Sequence, residues 1–217
     1  MGCKLILIRR PLGWAISRSV GKTLLIYAEQ GFGDTLQFVR YVPLLQDCGA
    51  HLIVQVQPAL VALIARQFPT VTTLSTLEKV ESFDFHVPLM SLPLALFKRE
   101  KNIPRCVPYL RPDAIRVASI RRKIDTLLGA DLTLKVGLVW SGSRKFHNDV
   151  RVARLADLAP ILELPFCFVS LQKEVPEADL PLLTSLPNVH DFRDSIGDFS
   201  DTADLLAALD LVITIDT

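Results

Sequence analysis

The densest chemical signal in the chain is Glu29-Gln30-Gly31-Phe32-Gly33-Asp34, set between an apolar run at 24–28 and a helical pattern that begins at 35. Gly31 and Gly33 allow a tight backbone turn and leave room for a ligand close to the main chain. The helix that follows offers N–H groups to an anion. Asp34 has two readings. As a helix N-cap it would accept a backbone N–H and stabilise the helix by about 1 kcal/mol. As a general base it would take the proton of a hydroxyl nucleophile. The helix dipole favours the carboxylate and lowers its basicity, so spacing alone leaves both readings open. A dinucleotide fingerprint needs glycine at 36, where Leu36 stands, which argues against a hydride-transfer oxidoreductase.

A second cluster follows the apolar run at 136–140. Trp140, Ser141 and Gly142 lead into a stretch that carries Lys145, His147, Asp149 and Arg151. Small residues with fixed cations suit a diphosphate, whose oxygens accept backbone N–H bonds and whose charge needs neutralising. The plain alternative is a polar surface loop. After the run at 166–171 come Ser170, Gln172 and Lys173, again polar groups at a strand's carboxyl end. Gly21-Lys22-Thr23 imitates the end of a phosphate-binding P-loop. Its first glycine would fall on Ile16, and it leads into a strand rather than a helix, so that reading is rejected.

The elements that must position these groups are short. Apolar runs at 24–28, 51–56, 83–87, 136–140, 166–171 and 211–215 read as strands, mostly continuous and so expected to be buried on both faces. Between them lie helical patterns at 35–46 (with Pro43 as a kink), 58–67, 113–128 and 201–209. Alternating strands and helices predict an α/β chain with parallel sheets. Residues 1–22 read as an N-terminal extension and 23–97 as one α/β unit. Residues 98–133 read as a proline-rich basic linker with a connecting helix, and 134–217 as a second α/β unit. No sequence repeat is visible. The apolar run at 211–215 is expected to be a central strand, and with only Asp216 and Thr217 after it the second domain is expected to be shortened.

Composition excludes several classes. Half of the 217 residues are hydrophobic and 22% are charged, which excludes a disordered chain. A net charge of +1 gives no global attraction to nucleic acid, and no aromatic interleaving supports base stacking, so no nucleic-acid partner is expected. Cys3, Cys48, Cys106 and Cys167 are far apart and no histidine pair has ligand spacing, so neither a disulfide scaffold nor a metal site is expected. No apolar stretch reaches the ~18 residues of a membrane span. A cytoplasmic protein is expected. The basic stretch at 98–123 has two readings, a solvated face or contact with an anionic ligand or the inner-membrane surface.

With these residues in view, the sequence resembles bacterial glycosyltransferases of the heptosyltransferase and O-GlcNAc-transferase-like type. It is most similar to the catalytic part of tetratricopeptide-repeat glycosyltransferase-like proteins. The matching stretches are 22–45, 135–142, 168–172 and 201–217, in that order. The resemblance implies a GT-B-type fold of two Rossmann-like domains, the second incomplete here. It places an acceptor (a glycan, a lipid-linked sugar or a protein) on the first domain and a nucleotide-sugar donor on the second, with the active site in a cleft between them. Gln30, Gly31, Gly33 and Gln37 would form the acceptor-side glycine loop, with Asp34 as the base. Trp140, Ser141, Gly142, Lys145, His147, Asp149, Arg151, Ser170, Gln172 and Lys173 match donor-contacting segments. Asp216 and Thr217 match the start of an Asp-Thr-x-x-x-His segment that grips the donor phosphates. Val150, Val152 and Ala153 depart from the Arg-x-Arg-Ser pattern, leaving Arg151 alone.

The implied activity is inverting, metal-independent sugar transfer, with the nucleotide-sugar as substrate and no cofactor. The alternative is a non-catalytic relic or nucleotide-binding module of the same fold. Because the chain stops inside the Asp-Thr segment, it is expected to be weakly active alone and to self-associate through the incomplete domain.

Overall fold

The structure is a computed structural model, and it describes residues 20–46, 49–78, 80, 82–96, 103–128, 134–142 and 153–215. The chain forms two compact units, residues 1–111 and 112–217.

In the first unit the order is β1 (Thr23–Tyr27), α1 (Phe32–Phe38), α2 (Pro43–Gln46), β2 (His51–Gln55), α3 (Val61–Gln67), β3 (Thr72–Leu74), β4 (Phe85–Pro88) and α4 (Leu92–Leu96). All pairs are parallel, in the order β3-β2-β1-β4. The most continuous apolar run, in β1, takes a position with neighbours on both sides, and Leu24, Leu25 and Ile26 are buried. The helix expected at 35–46 is in pieces: α1, a 3-10 turn at Val39–Tyr41, and α2. Pro43 has no N–H to give to Val39, so Val42 donates to the Val39 carbonyl instead, at 3.0 Å, and the winding tightens. Leu60, Leu63 and Ile64 recur at helical spacing around α3 and are buried.

In the second unit α5 (Ala114–Leu128) precedes β5 (Lys135–Val139). Then follow α6 (Ala159–Leu162), β6 (Cys167–Ser170), α7 (Leu180–Ser185), β7 (Val189–Asp191), α8 (Phe199–Ala207) and β8 (Leu211–Thr214). Its sheet is also wholly parallel, in the order β7-β6-β5-β8. The two units therefore repeat one topology without a visible sequence repeat. β6 shows why its run is continuous. Cys167 and Val169 pack on one core with Ile124 of α5 and Leu205 of α8, while Phe168 packs on another with Leu162 of α6 and Leu183 of α7.

The structure divides the 98–133 segment between the units, because α5 is fastened into the second. Arg116 pairs with Asp201 and lies 3.2 Å from Asp204, which is fully buried. The Asp113 N–H donates to Asp204 at 2.7 Å, and Arg121 pairs with Asp210 at 2.8 Å. Much of the basic character of the helix is thus spent inside the unit. β8 is an edge strand among the described residues, pairing with β5 alone, and Leu211 is 50% exposed. Val212 and Ile213 still pack on opposite cores. A continuous apolar run reports cover on two faces, not partners on two edges. Among the described residues no helix is long and apolar enough to cross a membrane.

Candidate functional site

In both units the described candidate residues stand where parallel strands end, at the carboxyl edge of the sheet. In the first unit β1 delivers the chain into residues 28–31 and then into α1. Gly31 is the N-cap, so the helix starts earlier than the pattern at 35 suggested, and Asp34 is the third helical residue rather than the cap. Its Oδ2 accepts the Gly31 N–H at 3.2 Å, reaching back over the first turn. Asp34 is half-buried. The contact with Gly31 occupies only part of the acceptor capacity of the carboxylate.

The glycines act differently from the expectation of a tight turn. Gly31 has an ordinary φ of −68°, and among the described residues positive φ is confined to Gly21 and Gly49. A side chain added at Gly33 would meet nothing within 4 Å. Gly33 thus leaves open space beside Asp34 rather than relieving backbone strain. Gln30 and Gln37 are exposed. The Gln30 carbonyl accepts from Gln57 Nε2 at 2.6 Å, and Gln57 Oε1 accepts from the Thr35 hydroxyl at 3.0 Å. Gln57, just past β2, therefore ties the glycine loop to the next strand. Sequence reasoning passed over it, although a polar residue beyond a strand end was the available signal. Lys22 pairs with Asp84 at 3.3 Å at the opposite end of β1, in keeping with the rejected P-loop reading.

In the second unit Trp140, Ser141 and Gln172 come together. Trp140 is fully buried, Ser141 and Gln172 nearly so. Gln172 Oε1 accepts from the N–H of Trp140 at 3.1 Å and of Ser141 at 3.0 Å. Its Nε2 donates to the Ser141 carbonyl at 2.7 Å and the Glu174 carbonyl at 3.2 Å. Trp140 Nε1 donates to Asp179 Oδ2 at 2.8 Å. These groups shape the edge from within, and the amides of 140 and 141 are engaged by Gln172. Lys173 donates to the Ile196 carbonyl and so fastens the exit of β6 to the segment after β7. Ser170 is fully buried, and its Oγ has no hydrogen-bond partner among the described residues. Gly142 is half-buried. Lys145, His147, Asp149, Arg151, Asp216 and Thr217 lie outside the described residues.

Electrostatics sharpen the support under this edge. Burial works against charge on Asp201, but the Gly197 N–H and Arg116 outweigh it, and its pKa is lowered. The hydrogen bond to Asp201 raises that of Arg116. Burial pushes the Cys167 thiol up, which makes it a packing group rather than a nucleophile.

No protein-family model matches the chain. Over 224 residues it is 27% identical to Protein FlbA of Caulobacter vibrioides, a stretch that takes in 92% of this chain and 37% of FlbA. Its fold is similar to that of TibC, described as a bacterial iron-containing dodecameric glycosyltransferase from enterotoxigenic E. coli H10407. The TM-score is 0.54 at 13% identity, over 90% of this chain and 54% of TibC. Among the described residues of this chain no three His, Cys, Asp or Glu side chains are grouped so as to hold a metal ion. At that identity the likeness to TibC is one of fold, and with the two strand orders it gives the α/β, Rossmann-like, GT-B-type architecture expected from the sequence.

Proposed function

We propose that the chain is part of an inverting, metal-independent glycosyltransferase that uses a nucleotide-sugar donor. The observation that carries this reading is the half-buried carboxylate of Asp34 in the first turn beyond β1, with open space at Gly33 beside it. The likeness of fold to a glycosyltransferase supports it. The chain spans 37% of FlbA and 54% of TibC, so the activity of the whole protein is included in this proposal.

The reaction is a single displacement. An acceptor hydroxyl oxygen attacks the anomeric carbon of the donor sugar. The bond from that carbon to the diphosphate oxygen breaks, and the acceptor proton passes to Asp34. The departing diphosphate gains negative charge, which Lys145 and Arg151 neutralise. Lys173 and the clamped exit of β5 support the donor side. The acceptor is a hydroxyl of a glycan, lipid-linked sugar or protein.

Calorimetric titration with UDP, GDP and ADP tests the donor half. Binding of one of them is expected, weakened by Lys145→Ala with Arg151→Ala and weakened more at low salt than at high salt. Equal affinity in the double variant and the parent would remove that stretch from the donor site. Failure of all three nucleotides to bind would favour a fold kept for another purpose.

A further inference from the structure

We propose that Asp179 is a positioning residue of the donor edge: it fixes the Trp140 side chain and, together with Gln172, sets the path of the chain as it leaves β5. The proposal rests on the glycosyltransferase reading and adds a residue that no sequence motif singles out.

Trp140 is completely buried, and its one polar atom must then find a partner inside the protein. That partner is a carboxylate, itself only 5% exposed, at 2.8 Å. Asp179 is the N-cap of α7, and its own N–H donates to the Pro176 carbonyl at 2.9 Å. The acceptor is therefore anchored at both its backbone and its side chain. Burying a carboxylate is costly, and an apolar neighbour would fill the space without that cost. The polar acceptor adds direction, because its hydrogen bond holds the indole in one orientation.

The same connection between β6 and α7 supplies Gln172, whose carboxamide makes four hydrogen bonds to the backbone of Trp140, Ser141 and Glu174. Asp179 thus holds the side chain of Trp140 while Gln172 holds its backbone. A chain leaving Gly142 starts from a fixed point, and a site built on a fixed support is held to tighter geometry than one on a free loop.

The test uses the full chain, its two tryptophans and calorimetry. The tryptophans, Trp14 and Trp140, give two indole N–H resonances, and Trp14→Phe assigns them. In Asp179→Leu the Trp140 resonance should move to the field of an unbonded indole, and affinity for the best of UDP, GDP and ADP should fall about tenfold or more. In Asp179→Asn, which keeps an acceptor oxygen, affinity should stay within about threefold of the parent. Trp140→Phe keeps an aromatic six-membered ring and removes the N–H together with the rest of the indole. It should weaken binding as Asp179→Leu does, and the double variant should be no worse than either.

An unmoved resonance in Asp179→Leu, unchanged nucleotide affinity in a folded Asp179→Leu, or additive losses in the double variant would each overturn the positioning role. If Asp179→Leu does not fold, Trp140→Phe and Asp179→Asn decide. Unchanged affinity in Trp140→Phe, or a loss well beyond threefold in folded Asp179→Asn, overturns it. If the parent binds none of the three nucleotides, the glycosyltransferase reading fails and this proposal fails with it. If the parent binds and the variants bind equally well, the positioning role alone is lost.

Discussion

Asp34 and Gln172 are both polar residues beyond the end of a strand, yet they do opposite work. Asp34 is half-buried and, among the described residues, accepts one hydrogen bond, of 3.2 Å, which leaves acceptor capacity open. Gln172 is 5% exposed and both ends of its amide are engaged, so it has nothing to offer a ligand without breaking the clamp. Gln172→Glu should show this directly. A carboxylate cannot donate to the Ser141 and Glu174 carbonyls, and unsatisfied buried groups cost about 1–3 kcal/mol each. Urea unfolding should therefore report a loss of about 2–3 kcal/mol, falling as acid restores one donor; an unchanged midpoint would mean the clamp is not formed. Residue types and strand ends made Asp34, Ser141 and Gln172 legible in the sequence. Burial decides whether such a residue faces a ligand or the core, and a single sequence does not record it. Asp179 was illegible for a related reason, since its partner lies 39 residues away.

Among the elements of the second unit, β5 is tightly packed at Gly137. A Cβ at Gly137 would stand 2.7 Å from Leu209 Cδ1 and 2.8 Å from Leu171 Cδ1. Gly137→Ala should lower stability by about 1–3 kcal/mol, as overpacking does, with both leucines forced to shift. Chemical denaturation checks this, and a neutral result would show that the leucine ends give way freely. The junction of α5 and α8 carries a pH dependence. Asp201 has a lowered pKa in the folded protein. Its contribution is complete above the unfolded carboxylate value of about 3.9 and is lost as pH falls through the lower folded value. Asp201→Asn should therefore lower stability at pH 6 by about 1 kcal/mol, and its deficit against the parent should vanish in strong acid. A deficit that is constant with pH would place the effect in packing instead.

The elements show which signals a sequence carries well. The long periodic pattern of α5 and the apolar runs of β1, β2, β5 and β6 were readable because many side chains repeat one message. β3 and β7 were missed because three-residue strands hold too few side chains for a period. α4, α6 and α7 were missed on the same ground. The break near Pro43 was anticipated as a kink and became separate turns, since a missing N–H acts on backbone bonding and not on periodicity.

In the whole molecule two units carry one strand order, each with a continuous apolar strand paired on both sides and functional candidates beyond its end. Hydrogen exchange should follow that order. Amides of β1 and β5 should be the slowest in their units, and those of β8, paired on one edge, faster. Equal protection in β8 and β5 would mean that β8 has a second strand beside it.

Sugar transfer itself is read by turnover. The protein is incubated with UDP-, GDP- and ADP-sugars and a hydroxyl acceptor, and released nucleoside diphosphate is measured beside Asp34→Asn. That variant keeps an oxygen for the Gly31 N–H and so should remain as stable as the parent. The parent should release nucleoside diphosphate only with acceptor present, and Asp34→Asn should fall about a hundredfold or more below it, the contribution of a general base. Release that continues undiminished in the folded variant, or none from any donor in the parent, would contradict sugar transfer with Asp34 as its base.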